Sequence, residues 1–111
     1  MLIELTRDNY EQEVLRSKGV LLVEFWGPQC ASCLRLMPAV EQLEKDYGGK
    51  FQGAKVNAAQ NRMLCAKLRV MSLPTFIVYK DANEVTRLTG EKVAVPDLIS
   101  AIENALQSGG H

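Results

Sequence analysis

The residues of this sequence best suited to chemistry are two cysteines three positions apart, Cys30 and Cys33. A thiolate attacks disulfides and a thiol does not, so a reactive cysteine needs its anion favoured near neutral pH. We predict that a helix begins at about Cys30, where unpaired N–H groups and the helix dipole stabilise negative charge. Cys33 would lie one turn further along the same helix face. This arrangement predicts a redox pair in which Cys30 attacks and Cys33 resolves the mixed disulfide.

Metal binding is the alternative for the same pair, because C-x-x-C is also half of a zinc site. Such a site needs two further ligands, and Cys65 and His111 are the soft candidates that remain in the sequence. Since His111 lies in a predicted mobile tail, redox chemistry is favoured over a structural metal site. An iron–sulfur cluster bridging two chains is favoured less still.

Composition is consistent with one globular domain, which we predict over residues 1–107, followed by a flexible tail at 108–111 that can include a cloning remnant. The 111 residues are 47% hydrophobic, enough for a real core. Thirteen basic and thirteen acidic side chains give a net charge of zero, so no long-range field would attract nucleic acid or an anionic membrane. We therefore expect proteins or small molecules as partners.

The cellular setting is predicted from three features of the sequence. Three cysteines are too few, and odd in number, for a disulfide-stapled secreted scaffold. No apolar run approaches the roughly twenty residues of a membrane span, and the N-terminus lacks the pattern of a secretory signal. Unless a leader has been removed, we expect a cytoplasmic protein.

Apolar periodicity predicts an α/β fold with the order β-α-β-α-β-α-β-β-α. The continuous run 20–26 reads as a central strand buried on both faces. Predicted helices include one capped by Thr6 or Asp8 with Leu15 among its apolar positions, and one from Cys30 to Tyr47 that contains Pro38. The predicted strands are 2–5, 20–26, 51–57, 75–80 and 84–89, and the two remaining helices are 61–70 and one with Pro96 in its first turn.

Six landmarks in the same order make the sequence resemble the thioredoxin family over nearly its whole length. They are Val23-Glu24-Phe25-Trp26, the C-x-x-C at 30–33, Pro38, Lys55-Val56-Asn57, Leu73-Pro74-Thr75 and Gly90. The resemblance implies a thioredoxin fold, with a central mixed sheet of four to five strands and four flanking helices. It also implies thiol–disulfide oxidoreductase activity, namely reduction of disulfides in client proteins, without a bound cofactor beyond the Cys30–Cys33 disulfide.

Glu24 and Lys55 have roles by this resemblance. The family places a buried acid, usually aspartate, at the position of Glu24, where it exchanges the proton of the resolving cysteine through water. Burial of an unpaired carboxylate costs several kcal/mol and raises its pKa. The position of Glu24 in an apolar strand therefore also favours a functional role. A solvated edge-strand glutamate is the alternative. Lys55 matches a lysine that tunes this acid, and an ordinary surface lysine is its alternative.

Substrate contacts are also implied by the resemblance. Leu73 and Pro74 would form a cis peptide bond packed against the disulfide, with the residue before the proline offering its backbone to a client peptide. Alternatively, Pro74 only begins a strand. The other implied contact residues surround the disulfide: Trp26, Gln29, Ala31, Ser32 and Gly90.

The active-site sequence departs from the usual W-C-G-P-C at three positions, Gln29, Ala31 and Ser32. Gln29 removes an aromatic docking surface, and Ser32 adds an N–H and a hydroxyl near the sulfurs. Because added donors stabilise the thiolate, we expect a more oxidising pair than in an ordinary thioredoxin. Arg35 is interpreted as a solvated helix position that could steer acidic partners, and Cys65 as an inert core residue rather than a regulatory thiol.

The resemblance implies client proteins with disulfides and recharging by a thioredoxin reductase, normally NADPH- and flavin-dependent, acting on a monomer. The alternative is a binding module that has this fold and uses its disulfide only as a switch, because a fold alone does not determine function.

Overall fold

The protein, for which a computed structural model describes residues 1–108, consists of a five-stranded sheet and flanking helices. Its strands are β1 (Ile3–Glu4), β2 (Val20–Trp26), β3 (Phe51–Asn57), β4 (Thr75–Lys80) and β5 (Asn83–Thr89). Its α-helices are α1 (Tyr10–Arg16), α2 (Ala31–Asp46), α3 (Arg62–Leu68) and α4 (Val95–Gln107). The predicted order is confirmed, and a short 3₁₀ turn at Ala58–Gln60 is an addition to it. The predicted tail residues 109–111 lie outside the described residues.

The sheet is mixed and has β2 at its centre. Its strand order is β1-β3-β2-β4-β5, with β1, β3 and β2 parallel and β4 and β5 antiparallel to their neighbours. Every residue of β2 is buried except Trp26, which is partly exposed. In the register, Glu24 lies between Lys55 on β3 and Phe76 on β4. The continuous apolar run thus forms the central strand that the sequence predicts.

Side chains of β2 alternate between two apolar cores, because successive residues of a strand point to opposite faces. Val20 and Leu22 pack with residues of α2 and α4, whereas Leu21 and Val23 pack with residues of α1 and α3. By this alternation Glu24 belongs to the α2 side of the sheet. The carboxylate therefore shares its face with the helix that carries the cysteine pair.

Helix α1 differs from the prediction in its cap and in its apolar face. Asn9 occupies the N-cap position, and its side chain accepts a hydrogen bond from the Thr6 N–H (2.7 Å) rather than from the helix. Neither Thr6 nor Asp8 caps the helix, so that prediction is wrong. Leu15 is 68% exposed, because a helix of seven residues presents only a narrow face to the sheet, and Tyr10 and Val14 fill it.

Two boundaries differ because non-glycine residues adopt positive φ. Arg69 has φ 59° and ends α3 after Leu68, so the helix is shorter than the predicted range 61–70. Asp81 and Ala82 have φ 49° and 70°, and this two-residue turn starts β5 at Asn83 instead of Glu84. Sequence patterns favour glycine at positive φ, so they predict the hairpin between β4 and β5 but place these two boundaries one or two residues away.

Candidate active site

The cysteine pair lies where α2 begins, as the sequence predicts. Cys30 is the N-cap residue with an extended backbone, and Cys33 lies in the first helical turn. Their sulfurs form a disulfide across a Cα–Cα distance of 5.3 Å, and the Cys33 N–H points to Cys30 Sγ at 3.2 Å. Cys33 is fully buried, whereas Cys30 is partly exposed. An incoming group therefore meets Cys30 first.

A tight turn after β2 brings Cys30 to this position. The Cys30 N–H donates to the Gly27 carbonyl (3.0 Å), which reverses the chain between the strand and the helix. Gly27 is buried, and a side chain there would lie 3.1 Å from Leu73 Cδ1. This close approach puts the turn against the segment that precedes β4.

That segment contains the cis peptide bond between Leu73 and Pro74 that the resemblance implies. Pro74 is buried, and its carbonyl accepts a hydrogen bond from the Gly90 N–H (2.9 Å). Thr75 Oγ1 donates to the Ser72 carbonyl (2.6 Å). These contacts join three separate parts of the chain at the carboxyl end of β2.

A groove of about 610 Å³ borders the exposed side of the disulfide. Ser32 Oγ lies 3.6 Å from Cys30 Sγ within it. The groove brings together five of the predicted site residues with three charged side chains that the site prediction did not include. The lining comprises Gln29, Cys30, Ala31, Ser32, Arg35, Leu73, Glu91 and Lys92.

Trp26, Pro74 and Gly90, which were also predicted to contact substrate, are not among the residues that line this groove. Sequence reasoning missed Glu91 and Lys92. The signal that could have found them was their position immediately after Gly90.

Glu24 is buried on the α2 side of the sheet. Its side chain has no exposed surface, and neither carboxylate oxygen has a hydrogen-bond partner among residues 1–108. Burial raises the pKa of Glu24 to about 8, and the positive charge of Lys55 acts in the opposite direction. Because β2 is the central strand, the alternative of a solvated edge-strand glutamate is wrong.

Three other residues that the sequence analysis discusses are Lys55, Trp26 and Cys65. Lys55 is partly buried and faces Glu24 in the strand register. Trp26 Nε1 is buried and has no hydrogen-bond partner within the described chain. Cys65 is buried in the core on the α1 and α3 side of the sheet, and burial raises the pKa of its thiol.

No group of three or more His, Cys, Asp or Glu side chains in residues 1–108 is arranged to hold a metal ion. In the same residues, no helix has the length and apolar character required for a membrane crossing.

A disulfide-forming C-x-x-C at a helix N-terminus, with a cis-proline in the adjoining segment, defines a thiol–disulfide exchange protein of thioredoxin fold. The thioredoxin family model matches residues 1–104. A thioredoxin from Acetoanaerobium sticklandii is 34% identical over 102 residues, which cover 92% of this chain and 97% of that protein. A thioredoxin from Staphylococcus haemolyticus is 36% identical over 89 residues, covering 80% and 84%. The chain belongs to the thioredoxin family.

Membership of the thioredoxin family and the Cys30–Cys33 disulfide together define the activity. The protein is a thiol–disulfide oxidoreductase of the protein-disulfide reductase type. The electrons are carried by its own cysteine pair, which alternates between dithiol and disulfide as in other thioredoxins, without an external cofactor. The family implies disulfide substrates and a thioredoxin reductase as partners.

Proposed function

We propose that the protein reduces disulfides in client proteins of the cytoplasm, with Cys30 as the attacking thiol and Cys33 as the resolving thiol. The observation that carries this assignment is the difference in exposure between the two sulfurs: Cys30 is accessible at the helix N-cap, and Cys33 is fully buried behind it. A buried thiol cannot meet a client disulfide, but it can reach its neighbour one turn away.

The reaction proceeds in two exchanges. The Cys30 thiolate attacks one client sulfur, forming an intermolecular disulfide and releasing the other client sulfur as a thiolate. Cys33 then loses its proton and attacks Cys30 Sγ, which forms the Cys30–Cys33 bond and releases the second client thiolate. The client gains two electrons, and two protons complete its thiols. The dithiol of this protein is oxidised to the disulfide.

The helix N-terminus favours the first step, because its free N–H groups and dipole stabilise the Cys30 thiolate. The first turn of α2 contains no acidic residue that would counter this effect. Each unit by which the pKa of the Cys30 thiol is lowered corresponds to about 1.4 kcal/mol of preference for the thiolate.

In this proposal, Glu24 takes the proton of Cys33 when the disulfide forms and returns it when the disulfide is reduced. Three features support the role: Glu24 lies on the α2 side of the sheet, its oxygens have no other described partner, and its pKa of about 8 lies near that of a thiol. Lys55, beside it in the register, lowers the pKa of Glu24. Lys55 would thus act through Glu24.

Leu73 and Pro74 present backbone to the client. The N–H and C=O of Leu73 are absent from the backbone hydrogen bonds formed within residues 1–108, which leaves them available to an extended client segment. Gln29, Ala31 and Ser32 would contact the residues beside the client cysteine, and Gly90 and Trp26 would support this surface from behind.

We further propose that an NADPH- and flavin-dependent thioredoxin reductase recharges the protein, which would act as a monomer. The family supports the reductase, and the unpaired Cys65 is consistent with a reducing compartment such as the cytoplasm.

Trapping tests the assignment of the two cysteines. In Cys33→Ser the mixed disulfide on Cys30 cannot be resolved, so clients should accumulate covalently on the protein. Cys30→Ser, the matched control, should trap none. The reduction of insulin by dithiothreitol should be accelerated by the wild type and by neither variant.

Iodoacetamide labelling across pH provides a second measurement, and residue 30 should react as a thiolate below the pKa of an ordinary thiol. Ordinary reactivity at residue 30, or trapping by Cys30→Ser instead, would refute the assignment. A biological effect retained when both cysteines are serine would favour the binding-module alternative.

A further inference from the structure

We propose that the groove beside Cys30 selects client disulfides flanked by acidic residues, a specificity that rests on the proposed attack by Cys30. Two cationic side chains, Arg35 and Lys92, line the groove together with one acidic side chain, Glu91. An ordinary apolar docking surface would not distinguish clients by charge, whereas this arrangement does so through Coulomb attraction.

Lys92 is held in place by a turn that is anchored at both ends. Gly90 at the start of the turn donates its N–H to the Pro74 carbonyl (2.9 Å). At the other end, the Val93 N–H donates to the Gly90 carbonyl (3.2 Å), and the Val93 side chain is buried. Glu91 and Lys92 are the two central residues of the turn, and both are exposed. The turn therefore positions these charges at the groove.

Arg35 reaches the groove from α2. It lies four residues after Ala31, so the two residues share a helix face, and Ala31 also lines the groove. Within residues 1–108, neither Arg35 nor Lys92 forms an ion pair. Both charges are therefore available to a client.

The positive character of this site is local. The whole chain has zero net charge, so a general attraction for acidic proteins is not expected. At Cys30 the positive end of the α2 dipole adds to the two cations, and the first turn of α2 has no acidic residue. Glu91 is the acidic residue in the groove lining, and it opposes their effect.

An acidic polypeptide segment fits this arrangement. A client paired with the free backbone of Leu73 would continue past its cysteine in both directions. The side chains two positions before and after that cysteine share its face of an extended segment, so they would lie over the start of α2 on one side and over the turn at Glu91 and Lys92 on the other. Acidic side chains at these places would meet Arg35 and Lys92.

Matched peptides test the proposal. Three peptides with the same intramolecular disulfide would carry glutamate, glutamine or lysine at the first and second positions on either side of each cysteine, so that both faces of an extended segment are charged. The kcat/KM for their reduction by the dithiol form would be measured. Each value is divided by the rate with neutral dithiothreitol, which corrects for intrinsic differences between the peptides. At low ionic strength the acidic peptide should be preferred over the basic one by about tenfold, or about 1.4 kcal/mol, as expected for two exposed ion pairs. The preference should fall as salt screens the charges.

Variants assign the preference to individual residues. Arg35→Gln and Lys92→Gln should each lower the acidic-to-basic ratio about threefold, and Glu91→Gln should raise it. Lys50→Gln is the matched control, because Lys50 is exposed and precedes β3 at the end of the sheet opposite the disulfide. It should leave the ratio unchanged.

The outcomes separate this proposal from the one on which it rests. A wild-type ratio near one at low ionic strength overturns the acidic preference, and so does an equal loss of preference in Lys50→Gln. If none of the three peptides is reduced, the redox role of Cys30 itself fails. Reduction of all three without discrimination leaves that role intact and refutes the selectivity alone.

Discussion

Replacement of Glu24 by glutamine should stabilise the protein increasingly as the pH rises. Burial raises the pKa of Glu24 from 4.5 to about 8, so the folded protein resists ionisation of this carboxyl until the unfolded chain has long been ionised. The native form therefore loses stability, relative to the unfolded chain, as pH rises from the unfolded pKa to the folded one. Glutamine is similar in size and does not ionise.

The magnitude follows from the two pKa values. At 1.36 kcal/mol per pKa unit, the cost of Glu24 is close to zero near pH 4 and about 3 kcal/mol near pH 7. Above pH 8 it approaches a limit of about 5 kcal/mol, because the carboxyl is then ionised in both states. Solvent screening does not reduce this loss of stability, since the Glu24 side chain has no exposed surface.

Urea unfolding of the oxidised protein measures this difference, because the disulfide-bonded cysteines do not titrate and cannot contribute. The free energies of unfolding of wild type and Glu24→Gln should agree near pH 4 and diverge by about 3 kcal/mol near pH 7. Glu41→Gln, an exposed glutamate on α2, is the control and should show no such divergence. A difference between wild type and Glu24→Gln that stays constant with pH would refute the reasoning.

Three further predictions concern the disulfide and the core. Redox titration against glutathione should give a more oxidising potential than that of a W-C-G-P-C thioredoxin. Ser32→Ala should lower this potential by up to about 30 mV, because a hydroxyl 3.6 Å from Cys30 Sγ is lost. A higher potential in the variant would contradict this. Gly53→Ala should cost about 1 kcal/mol or less in urea unfolding, because the added methyl group overlaps only the end of the Leu2 side chain, which can shift. A loss of more than about 3 kcal/mol would contradict this. Tyr79→Phe should cost about 1–2 kcal/mol by removing the buried 2.8 Å hydrogen bond to the Tyr10 hydroxyl, and a double-mutant cycle with Tyr10→Phe should show that the two losses are not additive.

Much of the fold was predictable because its signals are local. The apolar run 20–26 predicts a central strand from its own residues, and the amphipathic stripe with Leu98 and Ile102 predicts the last helix, in which both side chains are fully buried. Ile99, an apolar residue of the same helix, is 37% exposed, because it lies at the edge of the helix face that contacts the sheet. Caps and turns were less predictable, since the Asn9 side chain accepts a hydrogen bond from Thr6 instead of capping α1, and Arg69 adopts a positive φ that sequence patterns assign to glycine.

The sequence by itself determined the redox pair, because the spacing of Cys30 and Cys33 and the break before the helix are contained in a few consecutive residues. Only the tertiary structure decided that Glu24 is fully buried without a described hydrogen-bond partner, and that Arg35, Glu91 and Lys92 meet beside Cys30. The physical reason is that burial and charge proximity depend on which distant segments pack together. A sequence pattern reports what each segment favours, whereas the surroundings of each side chain exist only after the segments have assembled.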